Sequence, residues 1–293
     1  MKKTPRAAIA GALGVFMLVG CSGGDKPSAQ TPTKAVAVKI EVDPAKVQPG
    51  PVGKFGGRIS IGGSDPKTFN PLLAQETSSS TPMSLVFDGL TTTNGETGEP
   101  EGALAYQWQV SPDGLTYTFD LRKNLKWSDG QPLTSDDVLF TFNDLVANPK
   151  VPSDWGDGIK VDGKLPVVKK VDEDTVSITT AKVHAPFLRV IGSIAILPKH
   201  VLEPTVSKLD KSGMPFFNQT WGLDTKDLST IVGTGPFMFK EYLAAQRLVL
   251  TRNPYHWRVN EDGDRLPYFD EVILHATKDQ DSALLKFQGG ETD

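Results

Sequence analysis

Apolar and polar residues alternate one by one between Leu115 and Leu121, with Leu, Tyr, Phe and Leu at the odd positions. This period of two predicts a β-strand that has one buried face and one polar face. The sequence Ser-Pro-Asp-Gly at 111–114 is typical of a reverse turn, and a strand ending at Val110 precedes it. The stretch is therefore predicted to form a β-hairpin.

A helix is predicted shortly after this hairpin, beginning behind Thr134. Thr134 can cap the helix, and Asp137 stands where the acidic partner of a capping box is found, in a weaker form of that motif. Leu133 and Val138 have the spacing of a hydrophobic staple, and apolar residues continue at helical spacing to Val146. The local pattern thus predicts both the start of the helix and its buried face.

The strand period of two and the helical spacing predict the other elements as well, and the predicted helices interleave with the predicted strands along the chain. The fold class is therefore predicted to be mixed α/β. The segment 205–230 has no clear period and is left without an assignment. The predicted elements are an opening strand over 57–61, a helix capped by Ser80 or Thr81 with Pro82 in its first turn, hairpins over 167–180 and 237–251, short helices from Pro186 and Pro198, a strand through Val272 and Leu274, and a last helix from Asp279 to Phe287.

The composition argues against several functional classes. The chain has 293 residues, of which 38% are hydrophobic, enough for one large core or two modest ones. Its net charge of -4 speaks against a nucleic-acid partner. The 4 histidines are scattered without the H-E-x-x-H spacing of a zinc enzyme, and no G-x-S-x-G serine elbow occurs. We therefore expect no enzymatic activity, no metal and no cofactor.

The amino terminus has the pattern of an exported protein. Three basic residues precede an apolar run over 7–19. This run is short for a membrane span, and the order of basic and then apolar residues is typical of a secretory signal peptide. A signal peptide is predicted over 1–20.

The end of the apolar run carries the single cysteine of the chain, Cys21. The sequence Leu-Val-Gly-Cys resembles a bacterial lipobox, which implies acylation of Cys21 and anchoring to a membrane through its acyl chains. The alternative is an ordinary apolar start with an incidental cysteine. Residues 21–54 are rich in Pro, Ser, Thr and Lys, which predicts a flexible linker before a folded body over 55–293.

From about 57 to 293, a set of different short motifs follow one another in a distinctive order and spacing. In chain order they include Phe69-Asn70-Pro71, Ala103-Leu104-Ala105 with Trp108, Ser111-Pro112-Asp113-Gly114, Trp127-Ser128-Asp129-Gly130, Gly233-Thr234-Gly235-Pro236-Phe237, Arg252-Asn253-Pro254-Tyr255-His256-Trp257 and Gly290-Glu291-Thr292-Asp293. No single motif is specific, whereas the ordered set is. The set resembles the extracytoplasmic solute-binding proteins of ABC importers, in family 5, which takes up oligopeptides, dipeptides and nickel.

The resemblance implies a periplasmic-binding-protein-like fold of class II, whose two lobes hold the ligand between them. It also implies a non-enzymatic protein in the periplasm, or at the extracytoplasmic face, that binds a peptide or another small solute and passes it to ABC permease subunits. Because family members are usually much longer, this chain is expected to be an amino-terminal portion that holds most of the first lobe and little of the second. It is therefore incomplete relative to the two-lobe fold and is expected to bind peptide weakly or not at all. A lipoprotein receptor or chaperone-like module is the competing interpretation.

Small residues between the first strand and the first helix are the candidate ligand contacts. Main-chain groups and short hydroxyls at a strand end suit the backbone of a varied peptide. The alternative is that they only turn the chain and cap the helix. The candidates are Gly62, Ser64, Thr77, Ser78 and Ser79. Trp155 joins them because it stands in a polar loop, where a large aromatic either lines a cleft or covers the edge of the core.

Overall fold

The computed structural model describes Val47 and residues 52–293. The predicted signal peptide, Cys21 and nearly all of the predicted linker lie outside the described residues, so these expectations stay predictions. Within the described part, helices and strands interleave, and the predicted mixed α/β class is confirmed. The strands are β1 (Arg58–Gly63), β2 (Thr91–Thr93), β3 (Pro100–Gly102), β4 (Ala105–Val110), β5 (Thr116–Leu121), β6 (Val167–Lys170), β7 (Thr175–Thr179), β8 (Phe237–Leu243), β9 (Arg247–Arg252) and β10 (Glu271–Ala276).

The helices are mostly short and lie between these strands. They are α1 (Thr77–Val86), α2 (Ser135–Leu139), α3 (Trp155–Gly158), α4 (Phe187–Gly192), α5 (Lys199–Ser207) and α6 (Gln280–Gln288). A π-helical segment (Phe140–Val146) continues α2, and two 3₁₀ turns (Phe216–Gln219 and Leu228–Thr230) occupy the segment that had no sequence period.

Two four-stranded sheets contain eight of the described strands, and β2 and β3 pair with each other in a two-stranded antiparallel sheet. In the first sheet the order is β1-β10-β9-β8, with β1 parallel to β10 and the other pairs antiparallel. In the second sheet the order is β4-β5-β7-β6, and every pair is antiparallel. The three predicted hairpins are confirmed as β4–β5, β6–β7 and β8–β9. β1 is therefore an edge strand of the first sheet.

Buried side chains of both sheets belong to one hydrophobic core. Phe119 and Ile178 enter it from the second sheet, and Phe239 and Leu250 enter it from the first. The burial of β5 alternates along the strand as its period of two predicts. Val86, at the end of α1, is fully buried in the same cluster, so this helix packs directly on the core.

The predicted cap at Thr134 is confirmed. The backbone N–H of Asp136 donates to the Thr134 hydroxyl at 3.2 Å, and the backbone N–H of Thr134 donates to the Asp137 carboxylate at 3.0 Å. Leu133 and Val138, the predicted staple, are both buried. The helix differs from the prediction in its second half, which is π-helical rather than α-helical.

The predicted start of α1 at Ser80 or Thr81 is wrong, because the helix begins at Thr77 and Pro82 lies inside it. The reason is a long-range hydrogen bond that the sequence pattern does not reveal. The hydroxyl of Ser79 accepts from the backbone N–H of Lys67 at 2.9 Å, which ties the first helical turn to the preceding loop.

Close backbone contact holds the end of α1 against the start of β8. The backbone N–H of Gly235 donates to the carbonyl oxygen of Val86 at 2.8 Å. A Cβ atom on Gly233 would lie 2.1 Å from the same oxygen, so this position accepts only glycine without a shift. The contact fixes α1 relative to the first sheet, and the space between α1 and the end of β1 forms the site described next.

Candidate functional site

A cavity of about 390 Å³ opens between the end of β1, the following loop and one face of α1. Its volume falls in the range of pockets that bind small molecules. The lining combines aliphatic side chains from α1 and the first sheet with short hydroxyls and loop backbone. The lining residues are Ile61, Gly62, Gly63, Ser64, Asp65, Pro66, Thr77, Ser78, Thr81, Pro82, Ser84, Leu85, Leu248, Leu274 and Ala276.

The structure brings four of the six predicted residues together. Gly62, Ser64, Thr77 and Ser78 all line the cavity. Their spacing along the chain is explained by the loop that folds back from β1 to α1. Their role in ligand binding stays a prediction, but they share one concave surface.

Ser79 and Trp155 lie outside this lining. Ser79 is fully buried, and its hydroxyl accepts from the backbone N–H groups of Lys67 and Thr68 and donates to the carboxylate of Glu76. Trp155 begins α3 and packs, partly buried, against the hydrophobic core. Ser79 therefore shapes the loop beside the cavity, and the position of Trp155 fits the second alternative, a cover over the edge of the core.

The main chain of β1 points alternately toward its neighbour β10 and toward the opposite edge, where no further strand of the described residues pairs with it. The carbonyl of Gly63 accepts from the backbone N–H of Thr277 at 2.7 Å, so the polar groups of Gly63 face β10. Ser60 faces the other way, because its N–H donates to the Asp293 carboxylate at 2.8 Å and its carbonyl accepts from the Asp293 N–H at 2.8 Å. Successive residues of a strand alternate sides, so the N–H and C=O of Gly62 point to the same edge as those of Ser60.

Asp65 is the one charged residue among those that line the cavity. One oxygen of its carboxylate accepts from the hydroxyl of Tyr242 at 2.9 Å and from the backbone N–H of Ala245 at 3.1 Å. Ala245 lies in the turn between β8 and β9 with φ of 57°, which directs its N–H toward the cavity loop. Burial and the hydrogen bond to Asp65 raise the pKa of Tyr242 to about 12. The phenol therefore remains a proton donor that holds the carboxylate in place.

Sequence reasoning missed Asp65 and the apolar floor for different reasons. Asp65 precedes Pro66 in a run of small residues, a pattern that is typical of a turn. Its charge between the uncharged residues Ser64 and Pro66 is a signal that could have identified Asp65 as a candidate site residue. Leu248 and Leu274 come from distant strands, and only the sheet order brings them beside Gly62.

The chemical groups of the cavity suit reversible binding. They are backbone N–H and C=O groups, short hydroxyls, aliphatic surface and one carboxylate. Within residues 52–293, no three His, Cys, Asp or Glu side chains are grouped so as to hold a metal ion. In the same part of the chain, every helix is too short or too polar to cross a membrane.

Comparison with known proteins gives one family. A sequence model described as bacterial extracellular solute-binding proteins, family 5 Middle, matches residues 99–293. A probable ABC transporter-binding protein of Deinococcus radiodurans is 31% identical over 249 residues, which cover 84% of this chain and 41% of the relative.

Two solved structures of the same kind show the range of bound solutes. DppA of Helicobacter pylori, an ABC transporter-associated periplasmic binding protein in complex with the peptide STSA, has a TM-score of 0.66 at 25% identity over 82% of this chain and 46% of its own. MelB of Agrobacterium fabrum, a periplasmic binding protein in complex with stachyose, has a TM-score of 0.68 at 28% identity over 83% of this chain and 37% of its own. The chain spans less than half the length of these relatives.

Proposed function

Because the chain belongs to family 5 of the bacterial extracellular solute-binding proteins, we propose that it binds a peptide outside the cytoplasmic membrane and delivers it to the permease of an ABC importer. Proteins of this family bind solutes rather than catalyse reactions, and they act outside the cytoplasm. The similar protein from Helicobacter pylori was solved with a peptide, whereas the one from Agrobacterium fabrum was solved with a sugar. The choice of peptide therefore needs support from the site itself.

The edge of β1 beside the cavity supports a peptide, rather than a sugar, as the solute. Gly62 presents a main-chain donor and acceptor there, and Asp293 already pairs with Ser60 on the same edge. An extended peptide can add to such an edge through its own N–H and C=O groups, which are the same for every sequence. The hydroxyls of Ser64, Thr77 and Ser78 add donors and acceptors that tolerate varied partners. This arrangement supports binding of peptides with little dependence on their side chains.

The peptide proposal is tested by ligand-observed saturation-transfer NMR on the full chain carrying Cys21→Ser, which blocks acylation. We expect transfer from the protein to tripeptides at millimolar concentration. Ser78→Trp places an indole on the cavity face of α1 and should abolish the transfer. Ser80→Trp, at an exposed position of the same helix outside the lining, is the matched control and should retain it.

Two results contradict the peptide proposal. One is the absence of transfer to any tripeptide while the protein is folded by circular dichroism. The other is transfer that Ser78→Trp leaves unchanged, because binding would then occur elsewhere on the chain.

We further propose that Cys21 carries the lipid that anchors the protein outside the cytoplasmic membrane. The basic start, the apolar run and the Leu-Val-Gly-Cys sequence support this. In cells, the wild type should sediment with membranes and incorporate labelled palmitate, whereas Cys21→Ser should lose the label. Equal labelling of the two proteins would rule the anchor out.

A further inference from the structure

β4 lies at one edge of the second sheet, and among the described strands it pairs with β5 alone. The N–H of Ser111 donates to the carbonyl of Thr116 at 2.9 Å, so the polar groups of Ser111 face β5. Successive residues of a strand alternate sides, and the register of β4 is regular from Gln107 to Val110. The N–H and C=O groups of Trp108 and Val110 therefore point away from the sheet.

The other edges of the two four-stranded sheets are protected against a further strand. The main chain of β1 is paired with Asp293, β6 carries Lys169 and Lys170, and β8 combines charged residues with an irregular register. Covering segments, charges and irregularities of this kind keep edge strands from pairing. β4 has the sequence AYQWQV, without charge or proline, and its own irregularity precedes Gln107. Among these edges, β4 is thus the one open to a partner strand.

Two copies of β4 fit each other in one antiparallel register. Outward main-chain groups must meet, so Trp108 of each copy pairs with Val110 of the other, and each pair exchanges both of its hydrogen bonds. Gln109 then lies opposite Gln109 of the second copy, on the twofold axis. A register centred on Val110 would set Trp108 against Pro112, which has no N–H. A register centred on Trp108 would use Tyr106, where the pairing of β4 with β5 shifts.

The side chains suit this register. Val110, which is 47% exposed, meets the partly buried Trp108 of the second copy, and a β-branched residue opposite an aromatic one is a favourable cross-strand pair. On the other face of the sheet, the two Gln109 amides can each donate and accept. Because β4 has no charged residue, its pairing with a second copy sets no like charges opposite each other.

We propose that two copies of this chain associate through β4, which joins their second sheets into one continuous antiparallel sheet. The contact uses a short stretch of one strand from each copy, so the interface is small, as in weak and reversible complexes. β4 contributes no residue to the lining of the cavity between β1 and α1. The association therefore does not depend on the proposed peptide cargo.

Single-cysteine variants test the register, because Cys21→Ser leaves the chain without another cysteine. In this background, oxidation with copper phenanthroline should link Gln109→Cys into dimers, since directly opposite Cβ atoms lie about 4.5–5.5 Å apart. Gln107→Cys is the matched control, exposed on the same face of the same strand. Its counterpart lies four residues along the neighbouring strand, roughly 13 Å away. It should give about tenfold less dimer on non-reducing gels.

Charges on the twofold axis test the association without a covalent bond. Sedimentation equilibrium of the full chain carrying Cys21→Ser should show dimers that increase with concentration. Gln109→Glu and Gln109→Lys each set like charges opposite one another and should weaken dimerisation about tenfold or more. An equimolar mixture of these two variants should restore it. Gln131→Glu, at an exposed position outside the second sheet, should leave it unchanged.

The outcomes separate this proposal from its alternatives. A monomer at every concentration overturns it. Equal cross-linking of the two cysteine variants indicates random collision and also overturns it. Dimers that persist in both charge variants use another surface and overturn it as well. If a charged variant is unfolded by circular dichroism, the comparison of Gln109→Cys with Gln107→Cys decides the question. Peptide binding stands or falls separately, because its test reads the cavity.

Discussion

Single residues hold the cavity in shape through contacts that lie outside its lining. Gly233 lets the backbone before β8 approach the last turn of α1, and the carbonyl of Val86 lies where a Cβ atom on Gly233 would be. Tyr242 keeps Asp65 oriented through its hydroxyl. Gly233 permits a close backbone approach, and Tyr242 forms a hydrogen bond. The effect of substitutions at these contacts can therefore be measured without a ligand.

Gly233→Ala should lower the free energy of unfolding by about 2 kcal/mol or more, because the new methyl overlaps the carbonyl of Val86 at 2.1 Å and a packed backbone relaxes poorly. Urea denaturation followed by circular dichroism measures the change. Gly158→Ala is the matched control, since nothing lies within 4 Å of its Cβ position. The control should change stability by less than about 0.5 kcal/mol. Equal effects of the two substitutions would refute the packing argument.

Asp65→Asn should lower the pKa of Tyr242 from about 12 toward its ordinary value, but not fully, since burial is the larger cause of the shift. A phenol with a raised pKa in the folded state stabilises the protein fully below about pH 10. That contribution is lost as the pH rises through the folded pKa. NMR titration of isotope-labelled tyrosines reads the pKa directly, with Asp262→Asn as a control that should leave it unchanged. An unchanged pKa in Asp65→Asn would contradict the hydrogen bond.

The elements show where local sequence determines structure. The start of α2 follows from Thr134, Asp137, Leu133 and Val138, which all lie within one helical turn of it, and the prediction is confirmed. The last helix begins as predicted behind Asp279, whose carboxylate accepts from the N–H of Ser282 at 2.8 Å. Capping residues work at short range, so the sequence alone reveals them.

Long-range partners explain the elements that the sequence did not reveal. Ser79 bonds to the backbone of Lys67, and this contact moves the start of α1 away from the predicted cap. The segment 205–230 buries Phe217 in a short 3₁₀ turn and Trp221 just after that turn, and such turns have no extended period to detect. In α6, whose start is predicted correctly, Leu284, Leu285 and Phe287 are exposed within the described residues, so its apolar residues do not mark a buried face.

Thr134→Ala should destabilise the protein by about 1 kcal/mol, because it removes the hydroxyl that caps α2. Thr93→Ala, at an exposed strand position, should change stability by less than about 0.5 kcal/mol. The midpoint and slope of urea unfolding separate a stability effect from a change in the unfolded state. A loss for Thr134→Ala no greater than for Thr93→Ala would show that the cap contributes nothing.

The whole molecule assembles the cavity from parts that are far apart in sequence. The sequence predicts Gly62, Ser64, Thr77 and Ser78 together because they lie at the end of β1, in the loop after it and at the start of α1. Leu248 and Leu274 reach them only because β9 and β10 stand next to β1 in the sheet. The fold class and the family therefore follow from local patterns and ordered motifs, whereas the floor of the cavity and the hydrogen bonds of Asp65 require the three-dimensional arrangement.

Photoaffinity labelling gives the most direct test of whether a peptide binds between β1 and α1. A tripeptide with a central lysine and a diazirine group is irradiated with the full chain, and the labelled residues are mapped by mass spectrometry. We expect labelling confined to 61–66, 77–85 and the neighbouring strands β9 and β10, and we expect it to be lost when unlabelled peptide competes. Labelling that competes equally well but maps to the second sheet, around β4 to β7, would contradict it.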